Sequence, residues 1–269
     1  MSARRPPALR ETPRYALRGF TLVELMVTVA IALFLIGGLL VIVQNVRGAY
    51  TNQQSLGQLQ DEQRFAMTML TDVIQAGGYY PSPQNANVWQ PGTALPAAPT
   101  TLAGTPGFQN GQAFTGAVVA GQADTLGVRY RTAINDGVIL CDGTTNTALA
   151  PDHAYANQFW VVQPAPGVPG QLWCQVDNFA AVPLVDGVVG MTIFYGVKRD
   201  FTNSDYNVDT YLRADQMNAA GPFGGDWANI SAVRIQLTFT NPMAGQPNQP
   251  PTLTFERIVQ VMGRAGLHT

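Results

Sequence analysis

The sequence predicts an α+β fold in which one long N-terminal helix precedes an antiparallel β-sheet domain. Three observations lead to this prediction. Residues 20–80 contain no proline and carry a continuous helical pattern. Residues 81–112 are rich in proline and glycine and predict a long irregular connection. Short runs of β-branched and aromatic residues then alternate with Gly, Pro and Asn turns, as in an antiparallel sheet.

The composition excludes some classes of function. Charged residues make up 12% of the 269 residues, and the formal net charge is −2. Five arginines and one glutamate lie within residues 1–19, which leaves ten basic and sixteen acidic residues in the rest of the chain. No basic patch with interleaved aromatic residues is present, so we expect no nucleic-acid partner. The low charge and the frequent Gly and Pro are typical of an envelope or secreted protein.

The first half of the helix, residues 20–43, is predicted to span a membrane once. Residues 25–43 form an apolar run whose most polar side chain is Thr28, and as a helix they extend for about 28 Å, which matches a hydrocarbon core. The arginines precede this run, so the N-terminus should stay in the cytoplasm and the rest of the chain should lie outside. A secretory signal would instead end in a small-residue cleavage site, which residues 44–50 lack.

The second half of the helix, residues 44–80, is predicted to be amphipathic. Apolar residues recur there at spacings of three and four, on one face of a helix. They are Leu56, Leu59, Ala66, Leu70 and Val73. Gly77 and Gly78, followed by Pro81, predict the end of the helix. Three internal glycines are weak points at which the helix can bend or locally unwind: Gly37, Gly38 and Gly48.

The motif at the start of the apolar run is G-F-T-L-V-E-L-M-V, residues 19–27. It places a glycine, a phenylalanine and a glutamate at fixed spacings at the start of a long apolar segment. This motif resembles the prepilin signature of type IV pilins and type II secretion pseudopilins. The resemblance implies that a prepilin peptidase cuts between Gly19 and Phe20, so that residues 1–19 are a cleaved cytoplasmic leader. It also implies that the new amine of Phe20 is methylated.

Glu24 is the acid within this apolar run. An isolated carboxylate in the membrane costs about 2.5–3.5 kcal/mol on insertion scales, so it should have a partner or a function. Cleavage after Gly19 would create a cationic amine on Phe20, one helical turn before Glu24. The residues permit a pair within one subunit or between two subunits, and the resemblance implies the pair between subunits, as an assembly contact. An acid that snorkels to the headgroups is the alternative.

Three further segments resemble one branch of this family, the minor pilin PilW. They are residues 64–80, 184–197 and 209–239. The branch implies the type IV pilin fold and a minor pilin that helps to initiate a type IV pilus and is incorporated at or near its tip. Its implied partners are the prepilin peptidase, the other minor pilins, the major pilin and the pilus assembly platform. Residues 113–269 would form a domain in the periplasm of a bacterial inner-membrane protein that later reaches the pilus or cell surface.

Two alternatives for the function stay open. One is a minor pseudopilin of a type II secretion system. The other is a membrane-anchored periplasmic binding domain, which would keep residues 1–19. We expect no enzyme, catalytic residue or cofactor, because the sequence has no G-x-S-x-G motif, no glycine-rich phosphate loop after a strand and no metal-type histidine pair.

Cys141 and Cys174 are the two cysteines of the chain. Both would lie in the oxidising periplasm, which favours a disulfide between them. In the chain-entropy model, closing a loop of about 34 residues would contribute nearly 4 kcal/mol. The alternatives are two buried free thiols, or a metal site completed by His153 and His268 without a recognisable ligand spacing.

The segment 200–211 is a candidate calcium loop. Its oxygen-bearing side chains fall at mostly alternate positions, as calcium prefers. They are Asp200, Asn203, Asp205, Asn207 and Asp209. The segment lacks the fixed glycine and the terminal glutamate of an EF-hand, so a solvated polar turn is the alternative that we favour.

Eight runs carry the strand pattern. They are residues 113–120, 125–133, 137–141, 158–164, 171–176, 188–197, 232–240 and 251–261. The last three alternate most clearly between apolar and polar side chains.

Overall fold

The structure is a computed structural model, and it describes most of the chain after the leader. The described residues are 19–81, 91–148, 152–163, 165, 168–200, 202, 207–218 and 225–262. The predicted leader lies outside the described residues except for Gly19.

Helix α1 extends over Leu22–Gln75 as one element of 54 residues, so the prediction of one helix longer than 50 residues is confirmed. α1 runs without a break through its three internal glycines, so the helix does not unwind at them. A glycine in a helix interior costs only about 1 kcal/mol relative to alanine.

The end of α1 follows the predicted signal. Gly78 adopts a φ of +78°, a conformation that favours glycine, and its N–H donates to the Arg129 carbonyl over 2.9 Å. Gly77 lies so close to the Phe114 ring that a Cβ there would be 2.4 Å from the nearest ring carbon. Both glycines are therefore required where the chain leaves the helix.

The chain divides into two compact units, residues 1–51 and residues 52–269. In the first unit, every described side chain is exposed. Of the helices that the structure describes, α1 alone is long and apolar enough to cross a membrane. The length and composition of this helix are those of a single membrane span.

In the second unit, α1 buries one stripe of side chains in the domain core. The buried residues are Leu59, Ala66, Met67, Leu70, Val73 and Ile74. Four of the five residues predicted for the stripe are among them, and the fifth, Leu56, is half-buried. The amphipathic pattern therefore identified the face of α1 that contacts the β strands.

The strands form two antiparallel sheets rather than the one sheet that was expected. The first has the order β1-β2-β3-β4-β5 and the second the order β7-β6-β8-β9. The first sheet contains β1 (Phe114–Ala117), β2 (Thr125–Ala133), β3 (Asp152–Val162), β4 (Gln171–Val176) and β5 (Val182–Asp186). The second contains β6 (Val188–Val197), β7 (Thr210–Leu212), β8 (Ile230–Thr240) and β9 (Thr252–Gln260).

Both sheets and the buried stripe of α1 share one apolar core. Leu126 of β2, Phe159 of β3 and Leu172 of β4 meet Ile193 of β6 and Ile235 of β8 in that core. An antiparallel sheet domain behind a long helix is the arrangement of the pilin fold, so the predicted fold class is confirmed.

Some strand predictions differ from the structure. Residues 137–141 form no strand, and only an isolated bridge joins Ile139 to Thr145. β3 begins at Asp152, before the predicted run. β5 and β7 were not predicted, because β5 contains Pro183 and β7 has only three residues. Proline is tolerated in an edge strand such as β5, where its missing N–H breaks no ladder.

The described part of the predicted irregular connection is more ordered than expected. It contains the short helix α2 (Pro91–Ala94) and a bridge between Ala98 and Phe108. Leu95 and Phe108 are buried. This segment therefore packs on the first sheet instead of running freely over its surface.

Candidate functional site

The N-terminal motif is organised around the start of α1. Thr21 precedes the first helical residue, and its hydroxyl accepts a hydrogen bond from the Glu24 backbone N–H over 3.3 Å. Thr21 is therefore the N-cap, and Glu24 occupies the third helical position. The spacing T-x-x-E before an apolar run is that of a capping box, a signal that the sequence analysis did not use.

Gly19 and Phe20 lie just outside the helix and are exposed. A Cβ placed on Gly19 would meet nothing within 4 Å, and Phe20 is 77% exposed. The peptide bond between them is thus in an accessible, non-helical segment, as proteolytic cleavage requires. Cleavage and methylation at this bond stay predictions.

Glu24 lies in the first turn of α1, where the helix dipole favours a carboxylate. Among the described residues, Glu24 forms no ion pair. The apolar side chains that surround it, such as Leu25 and Val23, are also exposed. The carboxylate is thus available to a group outside the described part of the chain.

Cys141 and Cys174 form a disulfide, as predicted. Their Cα atoms are 6.2 Å apart, and both residues are fully buried. Cys174 lies in β4, whereas Cys141 lies in the loop after β2, where its N–H donates to the Asn157 side chain over 2.8 Å. The bond therefore ties this loop to β4 of the first sheet, and the two alternatives for these cysteines are excluded.

The histidines give no support to a metal site. His153 Nε2, at the start of β3, is 3.1 Å from Asp177 Oδ2, which follows β4, and the pair is half-buried. Among the described residues, no group of three or more His, Cys, Asp or Glu side chains has the arrangement of a metal site. His268 lies outside the described residues.

Three of the five candidate calcium ligands are described: Asp200, Asn207 and Asp209. The Asp209 carboxylate accepts hydrogen bonds from the N–H groups of Arg199 and Asp200 and from the Thr210 hydroxyl. Hydrogen bonds, that from Thr210 first, lower the pKa of Asp209 below its ordinary value. This carboxylate therefore shapes the turn between β6 and β7.

Asp200 has a similar local role, since Oδ1 accepts from both the N–H and the hydroxyl of Thr202, over 2.9 and 2.6 Å. These two hydrogen bonds lower the pKa of Asp200. Asn203 and Asp205 lie outside the described residues. Calcium binding by this loop stays a prediction.

Two ion pairs that the sequence analysis missed attach the region after β6 to the domain. Arg199 contacts Asp226 over 2.6 Å, and Arg213 contacts the buried Asp124 over 2.5 Å. Burial raises the pKa of Asp226, but the hydrogen bonds from Arg199 and Asn218 outweigh it, so the pKa lies below its ordinary value. The partners are far apart in sequence, so no local pattern could have revealed them.

Arg129 of β2 is the most deeply buried cation among the described residues, with 1% of its surface exposed. Its guanidinium donates to four backbone carbonyls of the segment that covers the first sheet. These belong to Leu95, Pro96, Gln109 and Gln112. Burial, and then the nearby Arg131, lower the pKa of Arg129 to about 10, so it stays charged at neutral pH. Arg129 therefore ties both ends of the segment 95–112 to β2.

An open cleft of about 520 Å³ lies beside the second half of α1. Two carboxylates line it, Glu62 and Asp186. Each already accepts a hydrogen bond from a glutamine, Gln58 and Gln171 respectively. No histidine, cysteine or lysine is among the described residues that line it, so the cleft offers no argument for catalysis.

Two family models match the chain, one at its N-terminal end and one in its C-terminal half. Residues 158–258 match the model described as type IV pilus-assembly protein W. Residues 16–40 match the model of the prokaryotic N-terminal methylation motif. No curated protein matches the chain. The second match contains Gly19, Phe20 and Glu24, and the first covers most of β3 to β9, including Cys174.

Proposed function

Because this chain matches a type IV minor pilin of the PilW branch, we propose that it helps to initiate a type IV pilus. We further propose that it is incorporated at or near the pilus tip. In this proposal the protein is a structural subunit without catalytic activity.

The proposal rests on the relative positions of three features at the start of α1. An accessible Gly19–Phe20 bond, a helix that begins at Leu22 and an acid in its first turn occur together. Cleavage at the bond would release residues 1–19 and leave Phe20 as the methylated first residue. Its cationic amine would then lie within one turn of Glu24.

An electrostatic contact between subunits is the role proposed for Glu24. The carboxylate lies in a segment without other charged side chains from residue 20 to residue 43, so it should find a cation inside the membrane. No described residue supplies that cation. The amine of a neighbouring subunit would do so, and the pair would set the axial register between the two helices.

The size of the domain supports a low-copy position. Removal of 19 residues from 269 leaves 250, which is more than is usual for a major pilin. The partners proposed on this basis are the prepilin peptidase, the other minor pilins, the major pilin and the assembly platform. The proposed location is the inner membrane, with residues 113–269 in the periplasm, and later the pilus.

A minor pseudopilin of type II secretion is the second candidate function, since the same N-terminal motif serves both systems. The match of residues 158–258 to the pilus-assembly model favours the pilus. A deletion strain separates the two functions. Loss of pili and of twitching motility with normal secretion supports our proposal, whereas a secretion defect with normal pili contradicts it.

Intact-mass measurement of the membrane-extracted protein tests the processing step. We expect a chain that begins at N-methyl-Phe20 in cells with prepilin peptidase, and a chain that keeps its leader in cells without the peptidase. A chain that still begins at Met1 or Ser2 when the peptidase is present would show that α1 is a plain membrane anchor.

A further inference from the structure

The four-stranded sheet has one face on the core and one face directed outward. Along β8, Val233 and Ile235 point into the core and are fully buried, whereas Arg234 and Gln236 between them are only half-buried. Side chains alternate between the faces of a strand, so Arg234 belongs to the outward face.

Arg234 lies at the centre of a small cluster on this face. Its guanidinium carbon is 4.2 Å from the centroid of the Phe194 ring and 5.2 Å from that of the Tyr211 ring. Phe194 of β6 and Ile258 of β9 are its direct partners in the strand register. Ile258 is 55% exposed. We call Phe194, Tyr211, Arg234 and Ile258 the Arg234 patch.

Gly196 allows this arrangement. It lies opposite Tyr211 in the register of β6 and β7, and a Cβ there would be 2.9 Å from Tyr211 Cε1. Any larger residue would displace the Tyr211 ring, which helps to hold the guanidinium in position. The patch is therefore pre-organised by the backbone beneath it.

The guanidinium of Arg234 differs from those of the other described arginines in residues 113–262. Each of those donates to an acceptor. Arg129 binds carbonyls, Arg131 contacts Asp152, Arg199 contacts Asp226, Arg213 contacts Asp124 and Arg257 contacts the Thr71 hydroxyl. Among the described residues, Arg234 has no hydrogen-bond or ion-pair partner, and its Nε is buried without an acceptor.

The acid closest to Arg234 in the strand register does not form an ion pair with it. Glu256 lies opposite Gln236, and its Oε2 accepts from Gln236 Nε2 over 2.5 Å. The patch thus presents a cation without an acceptor, in contact with two aromatic rings and beside an exposed isoleucine. A stacked arginine is well suited to bind a carboxylate through two parallel hydrogen bonds.

We propose that the Arg234 patch docks a different pilin subunit, which inserts an Asp or Glu carboxylate against Arg234 and an apolar side chain against Ile258. Arg234 is a cation without an acceptor, so it selects a carboxylate on the partner. Ile258 is an exposed apolar side chain, so it selects an apolar side chain next to that carboxylate. Arginine and tyrosine in partly desolvated clusters are the residues that most often dominate protein interfaces. That the partner is a pilin rests on the proposed function.

In-cell photo-cross-linking tests this proposal in the full chain. The photo-reactive residue p-benzoylphenylalanine replaces Ile258, and the cross-linked peptide is identified by mass spectrometry. We expect a peptide of another pilin with an Asp or Glu close to the cross-linked position. Arg234→Gln should lower the yield about tenfold, since hydrogen bonds to charged groups contribute that much or more to binding.

Arg257→Gln is the matched control, because Arg257 is one residue from Ile258 but contacts Thr71. It should leave the yield unchanged. Arg234→Glu alone should lose the cross-linked product. A second substitution, which puts arginine in place of the identified acid of the partner, should restore it. Thermal unfolding of each variant shows whether the fold is intact, and Arg234→Lys serves in its place if Arg234→Gln unfolds.

Other outcomes have distinct meanings. An acidic peptide of a protein that is not a pilin, lost in Arg234→Gln, supports the docking of a carboxylate but contradicts the filament role. Three results overturn the docking proposal: no cross-linked protein, a product of the chain with itself, or a yield that Arg234→Gln leaves unchanged. Loss of leader cleavage in the wild type would contradict the proposed function without affecting these results.

Discussion

Thr21 and Glu24 are joined at the start of α1, where the Thr21 hydroxyl accepts a hydrogen bond from the Glu24 backbone N–H. The backbone of Glu24 is thereby satisfied by the cap, whereas its carboxylate forms no ion pair with a described residue. The two functions of Glu24 can therefore be separated by substitution. Its backbone helps to begin the helix, and its side chain has the contact between subunits that we propose.

Replacement of Glu24 by alanine should leave leader cleavage and membrane levels normal but reduce assembly. Alanine removes an insertion cost of about 2.5–3.5 kcal/mol, so the variant should enter the membrane at least as readily as the wild type. It also removes the partner of a neighbouring N-terminal amine. The measurement is recovery of the protein in sheared pili or in complexes with other minor pilins.

Asp61→Ala is the control for this experiment, because it removes an exposed acid from the same helix, one that pairs only with the exposed Arg64. It should assemble normally. If Glu24→Ala also assembled like the wild type, the proposed contact between subunits would be wrong, and Glu24 would be an acid tolerated near the headgroups.

Loss of the Cys141–Cys174 disulfide should destabilise the domain. Replacement of both cysteines by alanine is expected to lower the free energy of unfolding by about 2–5 kcal/mol, the loss that is typical when a native disulfide is removed from a small secreted domain. Denaturant unfolding measures the loss. Peptide mapping without reductant should recover the two cysteines in one cross-linked pair, and alkylation of both in the absence of reductant would contradict the bond.

Arg129→Gln should be more destabilising than most substitutions of an arginine. It leaves two buried carbonyls, those of Leu95 and Gln112, without their charged donor, and breaking such an arrangement costs about 3 kcal/mol or more. The expected result is a lower free energy of unfolding and faster proteolysis within residues 95–112. Arg257→Gln is the comparison, since Arg257 is exposed and donates one hydrogen bond. Equal stability of the two variants would refute the role of Arg129.

Calcium should have at most a modest effect on stability. Asp200 and Asp209 already accept hydrogen bonds from their own turn, so binding of an ion would compete with these contacts. A site with calcium at a hundred times its Kd would add about 2.7 kcal/mol. Thermal unfolding of the extracted protein in calcium and in chelator measures the difference. A shift of several degrees would show that the loop is a calcium site.

The sequence determined the features that depend on near neighbours in the chain. The apolar run and the spacing of Leu59, Ala66 and Leu70 specified α1 and its buried face, because a helix repeats every 3.6 residues. The alternation in residues 188–197 and 232–240 specified β6 and β8 in the same way. The N-terminal motif could be recognised because its glycine, phenylalanine and glutamate lie within six residues.

Only the tertiary structure decided how distant segments meet. The division into two sheets and the positions of the edge strands β5 and β7 depend on contacts between distant segments. The carbonyls that Arg129 binds are 17 to 34 residues away from it in the chain. The same holds for the ion pair of Asp124 and Arg213, which are 89 residues apart. In the sequence, an arginine within a strand pattern looks like any other polar residue, whether the fold buries it, like Arg129, or stacks it on aromatic rings, like Arg234. Its role is set by the acceptors that the fold brings within hydrogen-bonding distance, and that is a property of the three-dimensional packing.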